Sequence, residues 1–375
     1  MSQPTTTCLV TGFPSWIARA VVRELAHEEQ GALIHLLVPA DREREAVEFC
    51  RELRALASRV EPLAGDAVRM DFGLPGREYL VLARGVDVLV NLYDVSALPD
   101  DGVSGYGGLY GKLGDPVELT VRAAHEALEF ATAATGLRHF VQLGSLTVAG
   151  EFSGVWTEED VSAGQRHRTN AERSRYKAER LLWRVRDRVP FTILRTGPVL
   201  GDSRTGEIGW YHGPYDLLEA LLLGPPAATW PRPARPHALH AIPSDHLARM
   251  VRALAKSPPD RSGVLHLAPP APLPVAEICE ALRAAGEHVR LPRTLRVRLR
   301  RRYGAGAAAI ARSLARLDTP AACSTRRALD VERAAGVVLP RPADYLPNLA
   351  AYAAARLAAE AQRLAEAGIE DSLDE

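Results

Sequence analysis

The chain has 375 residues, a length that suits one large domain with a smaller appended lobe. Hydrophobic residues make up 47% and charged residues 25%, which is the composition of an ordinary globular protein. Lysine plus arginine and aspartate plus glutamate both number 46, so the net charge gives no reason to expect a polyanionic partner such as nucleic acid.

The chain opens with a predicted strand, a glycine turn and a helix. Thr5–Val10 is a short β-branched and apolar run, Gly12 follows it, and apolar residues recur at helical spacing over Trp16–Leu25. This order is typical of a dinucleotide-binding βαβ unit, whose helix N-terminus faces the pyrophosphate. The G-x-x-G-x-x-G spacing is incomplete, because Ser15 and Ala18 stand where glycines are expected. The alternative is a strand–helix unit that binds no nucleotide.

Strands and helices are predicted to alternate beyond this opening. We predict strands at Ala32–Val38, Val60–Gly65, Val86–Leu92, Arg138–Leu143 and Phe191–Leu194. We predict helices at Glu45–Ala57, Tyr79–Arg84, Val117–Thr135, Glu172–Arg186, His246–Leu254, Val275–Ala285 and Ala343–Ala367. The alternation predicts an α/β fold with a Rossmann-like, doubly wound parallel sheet. Right-handed crossovers then place the strand ends at Gly12, Tyr93-Asp94 and Ser145 on one rim.

Two segments interrupt the alternation. Asp100–Gly114 is rich in glycine and tyrosine and is predicted to be a flexible loop, and the proline-rich Pro225–Pro236 indicates a boundary. We therefore predict a Rossmann-like domain over residues 1–224. Residues 225–375 are predicted to form a smaller, mostly helical substrate lobe, some of whose strands return to the main sheet.

Two arginine-rich segments bear on ligands. After Val38, where an acid often holds the ribose of NAD, the chain continues with Asp41, Arg42 and Arg44. This favours NADP, because an arginine can meet a 2′-phosphate; the alternative is a solvated charge run on the next helix. The second segment is Leu291–Tyr303, preceded by a further arginine. It is predicted to be a solvated helix face, with docking of an acidic carrier protein as the alternative.

The cysteines and the apolar runs bear on metals and location. Cys8, Cys50, Cys279 and Cys323 form no C-x-x-C pair, so we expect neither a structural metal nor a disulfide framework. No basic region with an apolar stretch opens the chain, and no run of 18 apolar residues occurs. These observations predict a cytoplasmic protein with no membrane span.

Short motifs distributed over nearly the whole chain support one family. They are TGFPSWIA, Gly65-Asp66, VDVLVNL, LGSLTVAG, ERSRYKAE, LRTGPVLGDSRTGE, HGPYDLL, PSDHLARM, LHLAPPAPLP and DYLPNLAAY. In these segments the chain resembles extended short-chain dehydrogenase/reductases, and more narrowly the fatty acyl and thioester reductases of the male-sterility-like branch. The resemblance implies a Rossmann-like domain with a small C-terminal lobe and hydride transfer from NADPH to a thioester or carbonyl. It also implies cofactor contacts from Gly12, Phe13, Ser15, Trp16, Ile17, Asp66 and Arg175.

The resemblance further implies a catalytic serine or threonine, a tyrosine, and a lysine four residues after the tyrosine. In such a site the tyrosine donates a proton, the lysine lowers its pKa and the serine orients the carbonyl. Ser145 matches the serine, but Ala171 and Arg175 stand at the tyrosine and lysine positions. Tyr176 does not replace the missing tyrosine, because five residues along a helix turn through about 500°.

Other departures from the family pattern fall in the same region. Tyr93-Asp94 stands where Ala-Ala is usual, Thr120 replaces an asparagine and Thr196 replaces a proline. Together with Ser15, these changes predict that ordinary hydride transfer has been lost or rebuilt.

Three functions follow from this pattern. The first is non-redox acid/base chemistry, such as cyclisation, isomerisation or elimination, on a small acyl or polyketide-like molecule. Its catalytic groups would be Ser145, Tyr93 and Asp94, with His167, Tyr211 and His212 near the substrate. The second is an NADPH-dependent reductase of a thioester or carbonyl, in which a water, a substrate group or Tyr93 delivers the proton. The third is a non-catalytic protein that binds a cofactor or partner.

The partners are predicted from the same resemblance. The expected substrate is a small molecule of natural product biosynthesis, free or held as a thioester on a carrier protein. NADP(H) is the predicted cofactor, no metal is expected, and a monomer and a homodimer fit the sequence equally well.

Overall fold

The computed structural model describes residues 6–27, 31–56, 58–93, 116–208, 238–274, 277 and 322–366. Its helices are α1 (Trp16–Ala26), α2 (Glu43–Glu52), α3 (Gly76–Gly85), α4 (Pro116–Ala133), α5 (Asn170–Trp183), α6 (Ser244–Lys256), α7 (Arg326–Ala335) and α8 (Pro342–Glu366). Its longer strands are β1 (Thr6–Thr11), β2 (Ala32–Val38), β3 (Arg59–Ala64), β4 (Val88–Asn91), β5 (His139–Ser145), β7 (Phe191–Thr196) and β11 (Gly263–Leu267). Two-residue strands are β6 (Val155–Trp156), β8 (Val199–Leu200), β9 (Ala238–Leu239), β10 (Ile242–Pro243), β12 (Leu273–Pro274) and β13 (Ala322–Cys323).

The longer strands form the sheet that the sequence predicts. Within the described residues it has seven strands in the order β11-β7-β5-β4-β1-β2-β3, and every pairing is parallel. The chain leaves β1 toward one edge and returns through β4 toward the other, so the order reverses between these two strands. The prediction of an α/β, doubly wound parallel sheet is confirmed.

The burial of the strands explains why their sequences are almost continuously apolar. All four positions of β4 and all six of β7 are buried, as expected for strands covered on both faces. The helix α1 buries one face against the sheet through Ile17, Ala18, Val21, Val22 and Leu25. The periodicity that predicted this helix is therefore the periodicity of its contact with the core.

The chain divides into two compact units. The first contains Met1–Thr196, Asp245–Leu267 and Pro320–Val338, and the second contains Gly197–Ser244, Ala268–Thr319 and Leu339–Glu375. The boundary predicted between residues 224 and 225, the Asp100–Gly114 loop and the arginine-rich Leu291–Tyr303 lie outside the described residues. Among the helices that are described, none is long and apolar enough to cross a bilayer.

Glu158 fastens the segment that returns to the first unit as β13 and α7. Its carboxylate is buried and accepts hydrogen bonds from the backbone N–H groups of His266 (3.0 Å), Arg327 (2.7 Å) and Ala328 (3.0 Å). Two of these groups belong to the first turn of α7, which leaves its N–H groups without intrahelical partners. Burial raises the pKa of Glu158, against the effect of these three bonds.

The motif GDSRTGE, residues 201–207, forms a closed turn in the second unit. The Asp202 carboxylate accepts the backbone N–H of Thr205 at 3.0 Å. Gly206 has φ +72°, and a Cβ at this position would lie 2.2 Å from the carbonyl oxygen of Asn348 in α8. Only glycine fits so close to another backbone. The motif most characteristic of the resemblance therefore packs this turn against a helix.

Candidate functional site

A row of hydrogen-bonded side chains joins the carboxyl ends of β1 and β4 to the middle of β5. Thr11 donates from Oγ1 to Oδ1 of Asn91 at 2.5 Å, and the Asn91 amide donates to Oε1 of Gln142 at 2.9 Å. All three residues are buried. Because adjacent strands share these bonds, β1, β4 and β5 are held in register, and β5 continues three residues beyond this row to Ser145. The rim that the sequence predicts is formed just beyond this row.

Gly12 follows β1 and lies against the residues that follow β4. It has φ +95°, and a Cβ at this position would lie 2.7 Å from the carbonyl carbon of Leu92 and 3.0 Å from the backbone nitrogen of Tyr93. A side chain is therefore excluded by the packing of the protein itself. The structure brings Gly12 and Tyr93 together, as predicted. The part that Gly12 plays toward a cofactor remains a prediction.

Ser15 is the N-cap of α1. Its Oγ accepts the backbone N–H of Ala18 at 3.2 Å, which satisfies one of the free donors of the first turn. In the described part of the chain, the N–H groups of Trp16 and Ile17 have no hydrogen-bond acceptor. The residue that replaces the middle glycine therefore takes one donor of the helix end and leaves two for an anion.

Replacing Ser15 tests whether this helix end binds a phosphate. We expect Ser15→Gly to tighten NADPH binding several-fold, because the Cβ is removed and the Ala18 N–H becomes free. The stability cost is a few tenths of a kcal/mol, since glycine is a tolerable N-cap. The control is Ser15→Ala, which frees the same N–H, keeps the Cβ and lowers the free energy of unfolding by about 1 kcal/mol. Calorimetric titration measures the affinities, and equal binding by Ser15→Gly and the wild type would contradict the prediction.

Ser145, the last residue of β5, is connected to α5 through Thr147. The Ser145 and Thr147 hydroxyl oxygens are 2.9 Å apart, and Ser145 Oγ accepts the backbone N–H of Thr147 at 3.2 Å. The Arg175 guanidinium donates to the Thr147 hydroxyl at 3.3 Å. The structure thus joins the retained serine and the arginine at the lysine position through a residue that the sequence did not single out.

A buried ion pair between Arg195 and Glu179 lies one helical turn along α5 from Arg175. Arg195, at the end of β7, donates three hydrogen bonds of 2.8 to 3.2 Å to the carboxylate of Glu179 on α5. Arg195 also lies 3.2 Å from Nε2 of His266, whose Nδ1 is 2.8 Å from the carbonyl oxygen of Ser324. Since that carbonyl can only accept, the histidine carries its proton on Nδ1 and accepts from Arg195. The pair connects α5 to β7 one helical turn beyond Arg175.

Tyr176 is engaged away from this chain of contacts. Its hydroxyl is 2.8 Å from Ser162 Oγ and accepts from Arg180 at 3.2 Å, and its ring lies 4.8 Å from that of His167. His167 Nε2 lies 3.1 Å from the carbonyl oxygen of Val148 and therefore donates to it. Tyr176 and His167 form a local cluster, and the assignment of His167 to the substrate remains a prediction.

The other predicted site residues are distributed along the rim. Tyr93 is buried and belongs to the main hydrophobic cluster of the first unit. Asp66 follows β3 and accepts the Val68 N–H at 3.1 Å, and burial raises its pKa. Phe13 is buried beneath Arg19, whose guanidinium lies 4.7 Å from its ring centroid. Three further candidates, Asp94, Tyr211 and His212, lie outside the described residues.

Charged side chains gather beside Phe13 at the end of β2. Arg19 pairs with Glu45 at 2.5 Å, and Arg42 lies 3.5 Å from Glu45 and 3.5 Å from Asp41. Arg42 is half-buried, whereas Arg44 is exposed. Of the two arginines that favoured NADP in the sequence, Arg42 is the one held at the strand end.

The sequence interpretation did not single out four residues that make the connections described above: Thr147, Glu179, His266 and Glu158. Thr147 lies within the LGSLTVAG motif, two residues after Ser145, where a second hydroxyl was a usable signal. Glu179 lies one helical turn beyond Arg175 and two beyond Ala171, so the sequence spacing also predicts that it lies on the same face of α5. The partners of His266 and Glu158 are distant in sequence, and no local pattern indicates them.

The glycine turn, the N–H groups of α1 that the first turn leaves unbonded and the doubly wound sheet define a protein of the dinucleotide-binding class. Residues 10–251 match the model of an NAD-binding family described as Male sterility protein. Because this match covers well over half of the chain, the chain belongs to that family. The resemblance to extended short-chain dehydrogenase/reductases of the fatty acyl reductase branch is confirmed. A search of curated protein sequences gives no match.

Solved structures share the fold at low sequence identity. The terminal R domain of the myxalamid PKS-NRPS biosynthetic pathway is 18% identical with a TM-score of 0.69, over 99% of this chain and 93% of that one. The reductase (R) domain of a non-ribosomal peptide synthetase from Mycobacterium tuberculosis is 20% identical with a TM-score of 0.68, over 98% and 93%. A thiolation-reductase di-domain from an archaeal non-ribosomal peptide synthetase is 15% identical with a TM-score of 0.68, over 92% and 74%.

Proposed function

We propose that the protein is an NADPH-dependent reductase that releases an acyl chain from a thioester. The observation that carries the proposal is the Ser145 hydroxyl at the carboxyl end of β5, connected through Thr147 to Arg175 at the lysine position. Membership of an NAD-binding family and the likeness to reductase domains support this function over the non-redox alternative. Tyr93 and Asp94 as acid/base groups have no comparable support.

The N-terminus of α1 fits the pyrophosphate of a nicotinamide cofactor. The free N–H groups of Trp16 and Ile17 are donors of the kind that bind phosphate, and Gly12 opens the turn before them. Arg42 is the candidate partner of a 2′-phosphate at the end of β2. When bound, the cofactor supplies a hydride to the carbonyl carbon.

Ser145 is the group that polarises the substrate carbonyl in this proposal. Its hydroxyl is half-buried at the rim, where a donor to the carbonyl oxygen stabilises the negative charge that develops during reduction. Arg175 adds a fixed positive charge one hydroxyl away. An arginine keeps its proton in a protein, so it contributes charge and hydrogen bonds rather than a transferable proton.

Ala171 bears on the class of carbonyl compound that can be reduced. Reduction of a ketone or aldehyde ends in an alkoxide, which must receive a proton, and alanine supplies none. In a thioester, hydride adds to the carbonyl carbon, the C–S bond then breaks, and its electron pair leaves on sulfur. The products are an aldehyde and a thiolate, and a thiol has a pKa of about 8.5, so the thiolate takes its proton from solvent. A thioester is therefore the substrate class that tolerates the missing tyrosine.

The likeness to reductase domains also supports a proposal for the form of the thioester. One similar structure joins a thiolation domain to a reductase domain, and the others are reductase domains of biosynthetic assembly lines. We therefore propose an acyl thioester on a carrier protein of natural product biosynthesis as the substrate.

The proposal is tested by following NADPH absorbance with a thioester and with the corresponding aldehyde. The purified chain is mixed with NADPH and either octanoyl-N-acetylcysteamine or octanal. We expect NADPH oxidation with the thioester, accumulation of octanal, and little octanol. Failure to bind NADPH in calorimetry would contradict the reductase function. Equal turnover of octanal would contradict the choice of a thioester alone.

Replacing Arg42 tests the choice of cofactor. We expect Arg42→Ala to weaken NADPH binding about tenfold or more and to leave NADH binding unchanged, because a charge-assisted bond to phosphate is worth about 1.5–3 kcal/mol. The matched control is Arg44→Ala, which removes an exposed arginine two residues away. Calorimetric titration with both cofactors gives the ratio of the NADPH affinity to the NADH affinity. A parallel loss of NADH affinity would instead indicate damage to the strand end.

A further inference from the structure

The three-residue contact at the end of β5 fixes more than the position of Ser145. We infer that Thr147 is a positioning residue: with Arg175 behind it, it turns the Ser145 proton outward toward the substrate oxygen. The inference rests on the proposed reductase function for its catalytic meaning, but the hydrogen-bond direction is a property of the protein alone.

The direction of the first bond is set by Arg175. A guanidinium has donors and no acceptor, so the Thr147 oxygen accepts from it at 3.3 Å. One lone pair of Thr147 is thereby used, and its proton must point to an acceptor. Among the described residues, Ser145 Oγ at 2.9 Å is the acceptor in contact with this hydroxyl.

The second bond then follows for Ser145. Its oxygen accepts the Thr147 backbone N–H at 3.2 Å and the Thr147 hydroxyl at 2.9 Å, so both of its lone pairs are occupied. The Ser145 proton points to neither of these donors. In the described part of the chain, Ser145 has no acceptor of its own, so the proton remains for a ligand at the rim.

The reverse direction of the bond between the Ser145 and Thr147 hydroxyls is less favourable, because it leaves a proton without an acceptor. If Ser145 donated to Thr147, the Thr147 oxygen would accept twice, and its own proton would have no acceptor among the described residues. The positive charge of Arg175 also polarises the Thr147 O–H bond and makes this hydroxyl the better donor. Both effects favour the order Arg175 to Thr147 to Ser145.

Two substitutions at Thr147 test the catalytic consequence. Thr147→Val keeps the size and the backbone N–H but removes the hydroxyl, so one lone pair of Ser145 loses its donor and the direction of the Ser145 proton is no longer fixed. We expect kcat to fall at least tenfold with KM for NADPH unchanged, and Thr147→Ser to restore at least half of the wild-type kcat. The matched control is Thr157→Val, since Thr157 bonds Asp160 instead and lies outside this chain of contacts. Wild-type kcat in Thr147→Val would overturn the inference.

Neutron diffraction from deuterium-exchanged crystals tests the direction without turnover. A deuteron on Thr147 Oγ1 directed at Ser145, with the Ser145 deuteron directed elsewhere, supports the inference. A Ser145 deuteron between the two oxygens overturns it. If the wild type oxidises no NADPH with any thioester, the proposed function fails while this measurement still decides the direction.

Discussion

Replacing Ser145 by alanine is expected to lower kcat for thioester reduction by about 100- to 1000-fold, the usual cost of removing one donor to a developing oxyanion. The loss should appear in kcat rather than in KM for NADPH, because the hydroxyl acts on the substrate carbonyl. Arg175 cannot compensate, since its contact with Thr147 holds it one hydroxyl away from the rim. Initial rates at saturating NADPH and varied thioester provide the measurement.

The control for this substitution is Ser162→Ala. Ser162 is exposed and contacts the Tyr176 hydroxyl at 2.8 Å, so its loss should leave turnover within a factor of two. The calorimetric affinity for NADPH shows whether Ser145→Ala still folds and binds the cofactor. Retained turnover in a folded, NADPH-binding Ser145→Ala variant would remove Ser145 from the catalytic site.

Replacing Arg195 by methionine is expected to have the largest effect on stability, about 3–5 kcal/mol. Glu179 lies in the C-terminal half of α5. The substitution leaves its carboxylate buried without the three hydrogen bonds that Arg195 donates. The side chains of Arg195 and Glu179 are 0% and 3% exposed, so water cannot replace the lost partner. Chemical denaturation followed by circular dichroism gives the change.

The pH dependence of the Arg195→Met variant separates charge from packing. Burial already raises the pKa of Glu179 in the intact protein, against the attraction of Arg195, and removing Arg195 raises it further. A carboxyl with a raised folded-state pKa stabilises the fold fully below its unfolded pKa and loses this contribution as pH rises through the folded one. The variant should therefore gain stability, relative to the wild type, as pH falls from 7 toward 5.

The double variant Glu179→Met/Arg195→Met provides the control. Removing both charges of a buried pair costs much less than removing one, so this protein should recover most of the lost stability at pH 7. Its relative stability should also lose the pH dependence, since no buried carboxyl remains at this position. A double variant as unstable as Arg195→Met would show that packing, not the unpaired carboxylate, accounts for the loss.

Much of the fold could be predicted because local patterns dictated it. The strand at Ala32–Val38 was predicted at its observed bounds, and α1 within one residue, because continuous apolar runs and 3.6-residue spacing report burial directly. The predicted helix ends are less accurate. Helix α5 begins at Asn170, two residues before the predicted start, because Thr169 caps it by accepting the Glu172 N–H. A cap of this kind is a side-chain event that periodicity does not register.

For the candidate site, the sequence predicts individual residues but not the contacts between them. The family motifs locate Ser145 and Arg175 in the sequence, whereas their connection through Thr147 depends on how β5 and α5 face each other. The sequence shows that Ser15 replaces a glycine, but not that its hydroxyl caps α1 through the Ala18 N–H and leaves two donors of the helix end unbonded. Contacts between residues far apart in the chain, such as Glu158 with the first turn of α7, carry no local signal at all.

The repeated return of the chain to the first unit determines how the protein can be dissected. The polypeptide changes unit after Thr196, Ser244, Leu267, Thr319 and Val338, so neither unit is a contiguous stretch. A fragment ending at residue 224 would lack the edge strand β11, and it would leave the buried Glu158 carboxylate without its three donors. No single cleavage point therefore separates the first unit from the second, because each unit is built from three segments of the chain.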